Sequence, residues 1–458
     1  MSSMWRKLTL SDLGLSQWRN SSLLYRLSGS LRKWRQGSWL MQWGEVLGVL
    51  LVALVLGLSP FVGTALIGVL LIACGGFWLL LTLSDDPSET AFTPIHLLVL
   101  VYWGVATVAT AFSPVKMAAF SGLVKLSLYL VLFFLIARVL RSQRLRSALI
   151  TLYLHIVLIV SVYGLRQWFF GAEALATWVD PTSNSAKLTR VYSYLGNPNL
   201  LAGYLLPAVA FSIAAIFVWR GILPKALAVT MTLVNTACLV LTFSRGGWIG
   251  FVGLMFAFAV LLLYWFSIYF SPFWQKWAVP IGVSSLAGMM ILAILILPPL
   301  RDRAASIFVG REDSSNNFRL NVWAAVIEMI QDRPILGIGP GNNAFNKIYP
   351  LYMRPRYTAL SAYSVVLEIL VETGIIGFLS FLWLLLVTLQ QGWKQLQRLR
   401  QLRNSQGFWL IAAIATLAGM MAHGVVDTVW YRPQINTLWW FVVALIASFY
   451  QPKLSSSS

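Results

Sequence analysis

The residues best suited to chemistry fall in four short stretches. The first, Thr242-Phe243-Ser244-Arg245-Gly246-Gly247-Trp248, joins two apolar runs through a very short turn. A charged side chain at the edge of hydrocarbon is costly unless it snorkels or finds a partner. The following run starts here, so its first N–H groups lack intrahelical acceptors and its dipole presents a positive end. Gly246 and Gly247 leave that backbone uncovered. An arginine beside a bare helix N-terminus suits an anion, which makes Ser244, Arg245, Gly246 and Gly247 candidate ligands. A snorkelling arginine closing a tight hairpin is the alternative.

The second stretch is Asn317-Phe318-Arg319-Leu320-Asn321-Val322-Trp323, where Arg319 falls on the polar side of an amphipathic helix. Laid flat on a membrane, that helix would turn Arg319 toward the cavity of Arg245; a solvated helix face is the alternative. The chain continues through Gly337-Ile338-Gly339-Pro340-Gly341. Three glycines in five residues indicate a backbone that turns tightly or approaches a ligand. No strand precedes this run and no Gly-Lys-Ser/Thr follows it, so nucleotide binding is rejected. In the third stretch Tyr363-Ser364 opens an apolar run containing Glu368 and Glu372. Four residues apart on one helix face, these acids should point into the bundle, pairing with arginines or lining a path. The fourth holds His423 and Asp427, also four apart, with Arg432 shortly after. A carboxylate so placed can fix a histidine's tautomer and raise its basicity; a polar pair that holds helices together is the alternative.

The elements that position these groups are membrane helices. Of 458 residues 58% are hydrophobic and 11% charged, with a mean hydropathy of +0.74. Ordinary soluble domains carry about 25% charged residues, so a typical cytosolic enzyme and a polar disordered protein are both excluded. The net charge of +19 (34 basic minus 15 acidic) would suggest nucleic acid in a soluble chain. On an apolar chain basic loops report orientation instead, and no nucleic-acid partner is expected.

Spans of about 20 apolar residues are predicted near 44–59, 62–83, 94–112, 121–140, 147–165, 198–219, 225–243, 248–268, 278–299, 364–389, 408–427 and 434–450. The first pair, split at Ser59-Pro60, could be a re-entrant hairpin. Continuous apolarity favours helices over a barrel. The expected fold is therefore all-α and polytopic. A basic segment 1–43 precedes nine spans over 44–299; an outer loop 300–363 carries the amphipathic helix; three spans over 364–450 and a tail 451–458 follow.

Lys and Arg crowd residues 1–43 and the linkers after the fourth and tenth spans, which places both termini in the cytoplasm. The acidic linker with Asp85, Asp86 and Glu89 is the exception. Residues 15–36 read as an interfacial helix on anionic lipid, and no cleavable signal peptide is apparent. Cys74 and Cys238 lie in apolar runs and read as core residues; no cysteine or histidine spacing suggests a metal, and no cofactor is expected. Positive helix ends near Arg245, Arg319 and Arg432 would build an electropositive outer vestibule suited to an anion.

Together these motifs resemble the O-antigen ligase/polymerase superfamily: the Thr-Phe-Ser-Arg-Gly-Gly turn, the Arg319…Trp323 helix, Asp332-Arg333-Pro334-Ile335-Leu336-Gly337 and Glu372-Thr373-Gly374. The core of the resemblance covers about 230–380. The variants around Tyr363 and His423…Asp427 resemble a narrower, cyanobacterial IctB-type group described as bicarbonate transporters. That resemblance implies a multi-pass protein of the cell inner membrane (or the thylakoid) linked to inorganic carbon accumulation, with bicarbonate as its partner. The broader resemblance implies the alternative, a metal-independent glycosyltransferase that moves a glycan from a lipid diphosphate carrier at the outer face. Arg245 and Arg319 would then hold the donor diphosphate. A third reading is a non-catalytic relative that binds a lipid-linked glycan. Where the ligases carry a loop histidine, this chain has Tyr363. An unperturbed tyrosine ionises near pH 10, too high for a good base at neutral pH, so the proton would have to pass to His423 or Asp427.

Overall fold

The computed structural model of the protein describes residues 3–10, 29–85, 92–172, 190–296, 301, 305 and 314–451. Most of the expected interfacial segment 15–36 and most of 300–313 lie outside these residues. All regular structure among the described residues is helical. Three short helices, α1 (Ser3–Leu8), α2 (Gly29–Gly37) and α3 (Trp39–Gln42), precede α4 (Gly44–Leu58), α5 (Thr64–Leu83), α6 (Pro94–Ala111), α7 (Lys116–Val139) and α8 (Gln143–Phe170). Then come α9 (Pro198–Val218), α10 (Ile222–Leu241), α11 (Arg245–Phe266) and α12 (Pro272–Ile296). The loop helices α13 (Ser314–Asp332) and α14 (Asn342–Ile348) lead to α15 (Val365–Gln401), α16 (Gln406–Val426) and α17 (Pro433–Ser448). Each expected apolar run coincides with one helix, and nine helices among the described residues are long and apolar enough to cross a membrane. The chain is an all-α, multi-pass membrane protein.

Caps set where the helices begin. Asn197 Oδ1 accepts from the N–H groups of Asn199 and Leu200, and Pro198 takes the first position of α9, where its missing N–H costs nothing. Ser142 and Thr93 cap α8 and α6 in the same way. Helix α9 is apolar all round and forms the centre of the bundle against α10, α11 and α16, as expected of a helix with no polar stripe. Peripheral helices instead expose large side chains such as Val69, Ile72 and Leu233, which lipid would cover.

Helices α11 and α16 meet through small residues. A Cβ on Gly250 would stand 2.8 Å from the Gly419 carbonyl oxygen, and one on Gly253 would stand 3.0 Å from Ala422 Cβ. Such close backbone approach is a common way for helices to associate in lipid, where apolar packing alone gives little preference. At the end of the bundle opposite Arg245, buried Asp85 bonds both Arg35 and Arg138, and Arg138 reaches Glu45 at 2.8 Å. The acidic linker thus ties α2 to α4 and α7. Cys74 and Cys238 are buried.

The loop helix departs from the expected stripe. Leu320, Trp323, Ala324, Ile327 and Ile330 recur at helical spacing, yet α13 buries Val322, Ala325, Val326 and Met329, and Ile327 is 45% exposed. Both faces are apolar, so periodicity alone did not fix which one packs. The buried face joins Phe345, Tyr349, Ala362 and Val371 in a second, small core.

Candidate functional site

The turn before α11 is held by its own polar groups. Phe243 is left-handed (φ 49°) and Ser244 caps the helix, its Oγ accepting from Gly247 N at 3.1 Å. Thr242 Oγ1 in turn accepts from Ser244 N at 3.2 Å. Two of the expected anion ligands are therefore already engaged with each other. Gly247 has a packing reason as well: a Cβ there would lie 2.5 Å from Ala202 Cβ on α9. Arg245 is buried at the first position of α11.

Gly246 opens a slot for His423. A Cβ at Gly246 would stand 2.8 Å from the ring's Cδ2 and 3.2 Å from Nε2; one at Gly203 would stand 3.4 Å from Cε1. The imidazole is buried between two glycines of different helices, and its Nε2 has no hydrogen-bond partner. Asp427 does not orient this ring. Helix α16 ends at Val426 and Asp427 is extended (φ −152°, ψ 148°), which takes its carboxylate off the helix face the four-residue spacing implied. Asp427 Oδ2 instead accepts from Asn199 Nδ2 at 2.8 Å and from Arg319 at 3.4 Å.

Arg319 comes from the loop helix and reaches the membrane bundle through this contact. Its other guanidinium nitrogen donates to Ser315 Oγ at 3.4 Å, and its Nε is buried without a partner. Arg190, which the sequence reading passed over, donates to the Thr242 carbonyl at 3.0 Å and to Asn199 Oδ1 at 3.1 Å. A polar chain thus runs from the Arg245 turn through Arg190, Asn199 and Asp427 to Arg319. Asn199 was legible as part of an Asn-Pro-Asn helix start, but its side chain faces the site because α9 begins beside α16. Arg190 lies in a linker without periodicity and carried no signal.

Tyr363 stands over this corner. Its backbone is left-handed (φ 50°), its carbonyl accepts from Trp323 Nε1 at 3.4 Å, and Phe318 packs edge-on at 5.4 Å. Burial pushes its phenol well above the usual range, and the nearby Asp427 and Tyr431 act in the same direction, opposed by Arg319. A phenol that keeps its proton can donate a hydrogen bond and is a poor base at neutral pH.

Glu368 and Glu372 make no ion pair with an arginine among the described residues. Glu368 Oε2 accepts from Ala362 N at 2.7 Å, and Glu372 Oε1 accepts from Gly341 N at 2.8 Å. The glycine run lies across a break in α15 at Gly374 (φ 64°, ψ −167°). Ile338 and Gly339 donate to the carbonyls of Val371 and Glu372 at 2.9 Å, and Ile375 donates to Pro334 O at 2.8 Å. A Cβ on Gly374 would fall 2.2 Å from Ile335 O, and one on Gly341 would fall 2.6 Å from Gly122 Cα. The glycines are thus explained by backbone packing onto α15 and α7. The acids anchor the loop from below.

A cavity of about 340 Å³ opens beside this loop, between α6, α7, α15 and α17. Tyr102, Tyr129, Phe381, Trp430, Trp439 and Trp440 line it, together with Lys125, Glu368, Glu372, Asn342, Asn346, Asn436 and Thr428. The segment 427–431 separates the arginine corner from this cavity. Asp427 faces the arginine corner, whereas Thr428, Trp430 and Tyr431 face the cavity. Arg432 lies at the far end of this wall, stacked over Tyr431 at 5.1 Å, with a buried Nε that has no partner. Among the described residues no group of three His, Cys, Asp or Glu side chains could hold a metal.

Residues 226–382 match the family described as O-antigen ligase. The chain carries an O-antigen ligase domain. No curated protein matches the chain. The ligase domain runs from α10 to the upper part of α15 and so contains the Arg245 turn, the Arg319 helix, the glycine loop and both glutamates. His423, Asp427, Asn199 and Arg190 lie outside it and complete the corner from flanking helices and a linker.

Proposed function

We propose that the protein is a glycosyltransferase of O-antigen ligase type, using a glycan linked to a lipid diphosphate. The observation that carries this reading is the contact of Arg319 with Asp427, the first residue past the helix whose His423 lies against Gly246 of the Arg245 turn. It brings a loop cation and a carboxylate together beside the turn that opens with Arg245. The ligase family acts on lipid-linked glycans, and a diphosphate leaving group needs cations where its charge develops.

In the reaction, an acceptor hydroxyl oxygen attacks the anomeric carbon of the donor sugar. A new glycosidic C–O bond forms as the bond from that carbon to the phosphate oxygen breaks, and the electron pair leaves with the lipid diphosphate. Arg245 and Arg319 hold that diphosphate. Turning Arg319 from its 3.4 Å contact toward the phosphate releases Asp427, which takes the hydroxyl proton. His423 keeps the corner's shape from its glycine slot, and Tyr363 donates a hydrogen bond. The site lies at the outer face of the cell inner membrane, with both termini in the cytoplasm, as the distribution of Lys and Arg indicates. The bicarbonate reading rests on the IctB-type resemblance, and the ligase domain favours the transferase.

Binding tests this directly. Protein in nanodiscs is titrated with a polyprenyl diphosphate sugar and followed by native mass spectrometry. The wild type should bind it, and Arg245→Ala and Arg319→Ala should each weaken binding tenfold or more, since a hydrogen bond to a charged group contributes about 1.5–3 kcal/mol. Equal binding by all three proteins would overturn the assignment.

A further inference from the structure

The structure points to a second ligand chamber, and we infer that the aromatic cavity beside the glycine loop binds a neutral saccharide, the acceptor of the transfer. The inference rests on the transferase reading for the word acceptor, but its chemistry stands on the cavity alone. Sugar rings present a C–H face that packs on aromatic rings and a rim of hydroxyls that needs hydrogen-bond partners. The cavity supplies both. Trp430 packs tilted against Trp439 at 4.0 Å and meets Phe381 edge-on at 6.1 Å, forming an aromatic wall. Asn342, Asn346 and the two glutamates belong to the same lining.

Three observations mark the chamber as a binding site rather than packing space. Its volume of about 340 Å³ falls within the roughly 300–1,000 Å³ of small-molecule pockets. Thr428 is 3% exposed, lines the cavity, and its Oγ1 has no hydrogen-bond partner; Asn436 Oδ1, also at the lining, is buried and unpartnered. Buried polar groups are normally satisfied, so these two await a ligand. Glu368 and Glu372 each commit one oxygen to a loop N–H, which leaves a second oxygen to accept from a hydroxyl. Two carboxylates against the single Lys125 disfavour an acidic sugar and a second diphosphate. The wall segment carrying Thr428 and Trp430 begins with Asp427, so the cavity and the proposed proton acceptor share one short segment of chain.

The test uses full-length protein in nanodiscs, because maltoside detergents would themselves occupy the chamber. Methyl glycosides of glucose, galactose and N-acetylglucosamine, with glucuronate as the acidic control, are measured by saturation-transfer NMR. At least one neutral glycoside should bind saturably, and glucuronate should bind at least tenfold more weakly. Trp430→Ala should weaken binding tenfold or more. Asn346 is exposed at the rim, so Asn346→Trp should fill the mouth and abolish binding without disturbing the core, which keeps the test decisive if Trp430→Ala does not fold. Polyprenyl diphosphate binding, measured in parallel, should be unchanged by Asn346→Trp. No saturable binding of any neutral glycoside, or binding unaffected by both substitutions, would overturn the inference even where the donor binds. Loss of donor binding in the wild type, with glycoside binding intact, would instead remove the transferase reading.

Discussion

The His423 slot gives the sharpest mutational forecast. In Gly246→Ala the new Cβ would stand 2.8 Å from His423 Cδ2 and 3.3 Å from Val426 Cγ2. Carbon atoms rest at about 3.5–4.0 Å, so the ring must retreat by about 0.7 Å or more. On the other side of the ring lies Gly203, where a Cβ would stand 3.4–3.5 Å from the imidazole. Overpacking of this kind costs about 1–3 kcal/mol. A displacement approaching 1 Å in a reacting constellation can cost roughly a hundredfold in rate. Because α16 ends three residues after His423 and delivers Asp427, the shift should pass to the Asp427–Arg319 contact. The expected result is a ten- to hundredfold loss of glycan transfer in nanodiscs, with a modest fall in melting temperature. Gly253→Ala is the control: it strains the same helix interface, at 3.0 Å from Ala422 Cβ, without meeting the His423 ring. Equal transfer by Gly246→Ala and Gly253→Ala, at equal stability loss, would refute the argument that the slot positions the site.

Other outcomes follow from the same geometry. Glu372→Ala should leave Gly341 N–H without its acceptor, destabilising the loop by about 1–3 kcal/mol; hydrogen exchange over 337–341 should speed up, and Glu372→Gln should restore most of the protection. Tyr363 and Tyr349 both hold their protons more tightly folded than unfolded, Tyr349 being pushed up to about 12 by burial. Unfolded tyrosine ionises near pH 10, so their contribution is intact below pH 10 and should be lost as pH climbs toward 12, seen as a falling melting temperature that Tyr349→Phe flattens. Transfer should show no pH limb from Tyr363 between pH 6 and 9, and Tyr363→Phe, which loses one hydrogen bond of about 0.5–1.5 kcal/mol, should lower activity by no more than about tenfold. Asp85→Asn should loosen α2, seen as faster exchange over Gly29–Gly37, while transfer stays near wild type.

Much of the fold was legible in the sequence because lipid imposes a single strong constraint, a run of apolar residues long enough to span. All twelve runs became helices, and the ligase resemblance read over about 230–380 meets a family match over 226–382. What could not be read was which polar groups meet. The His423–Asp427 spacing suggested one helix face, but the helix stops between them, and Asp427 joins Asn199 and Arg319 from far along the chain. Glu368 and Glu372 were open to pairing with arginines or lining a path; they line the cavity and bind backbone N–H groups of a loop whose path depends on the break at Gly374. The glycines suggested a ligand cradle and proved to be contacts with α15 and α7, because spacing shows that backbone comes close to something without showing what. The aromatic cavity left no local trace: its lining comes from five separated stretches, each readable as an ordinary apolar or loop segment.

The central claim is that the arginine corner activates a lipid diphosphate for glycan transfer. Its most direct measurement puts protein in liposomes with a radiolabelled polyprenyl diphosphate glycan and a saccharide acceptor outside, beside a parallel assay of labelled bicarbonate uptake. The account predicts acceptor-dependent release of lipid diphosphate by the wild type, a fall of roughly 10²–10³-fold in Arg319→Ala as expected for a lost oxyanion-type donor, and no bicarbonate flux above empty liposomes. Bicarbonate uptake abolished by Arg319→Ala, with no transfer to acceptor, would contradict it.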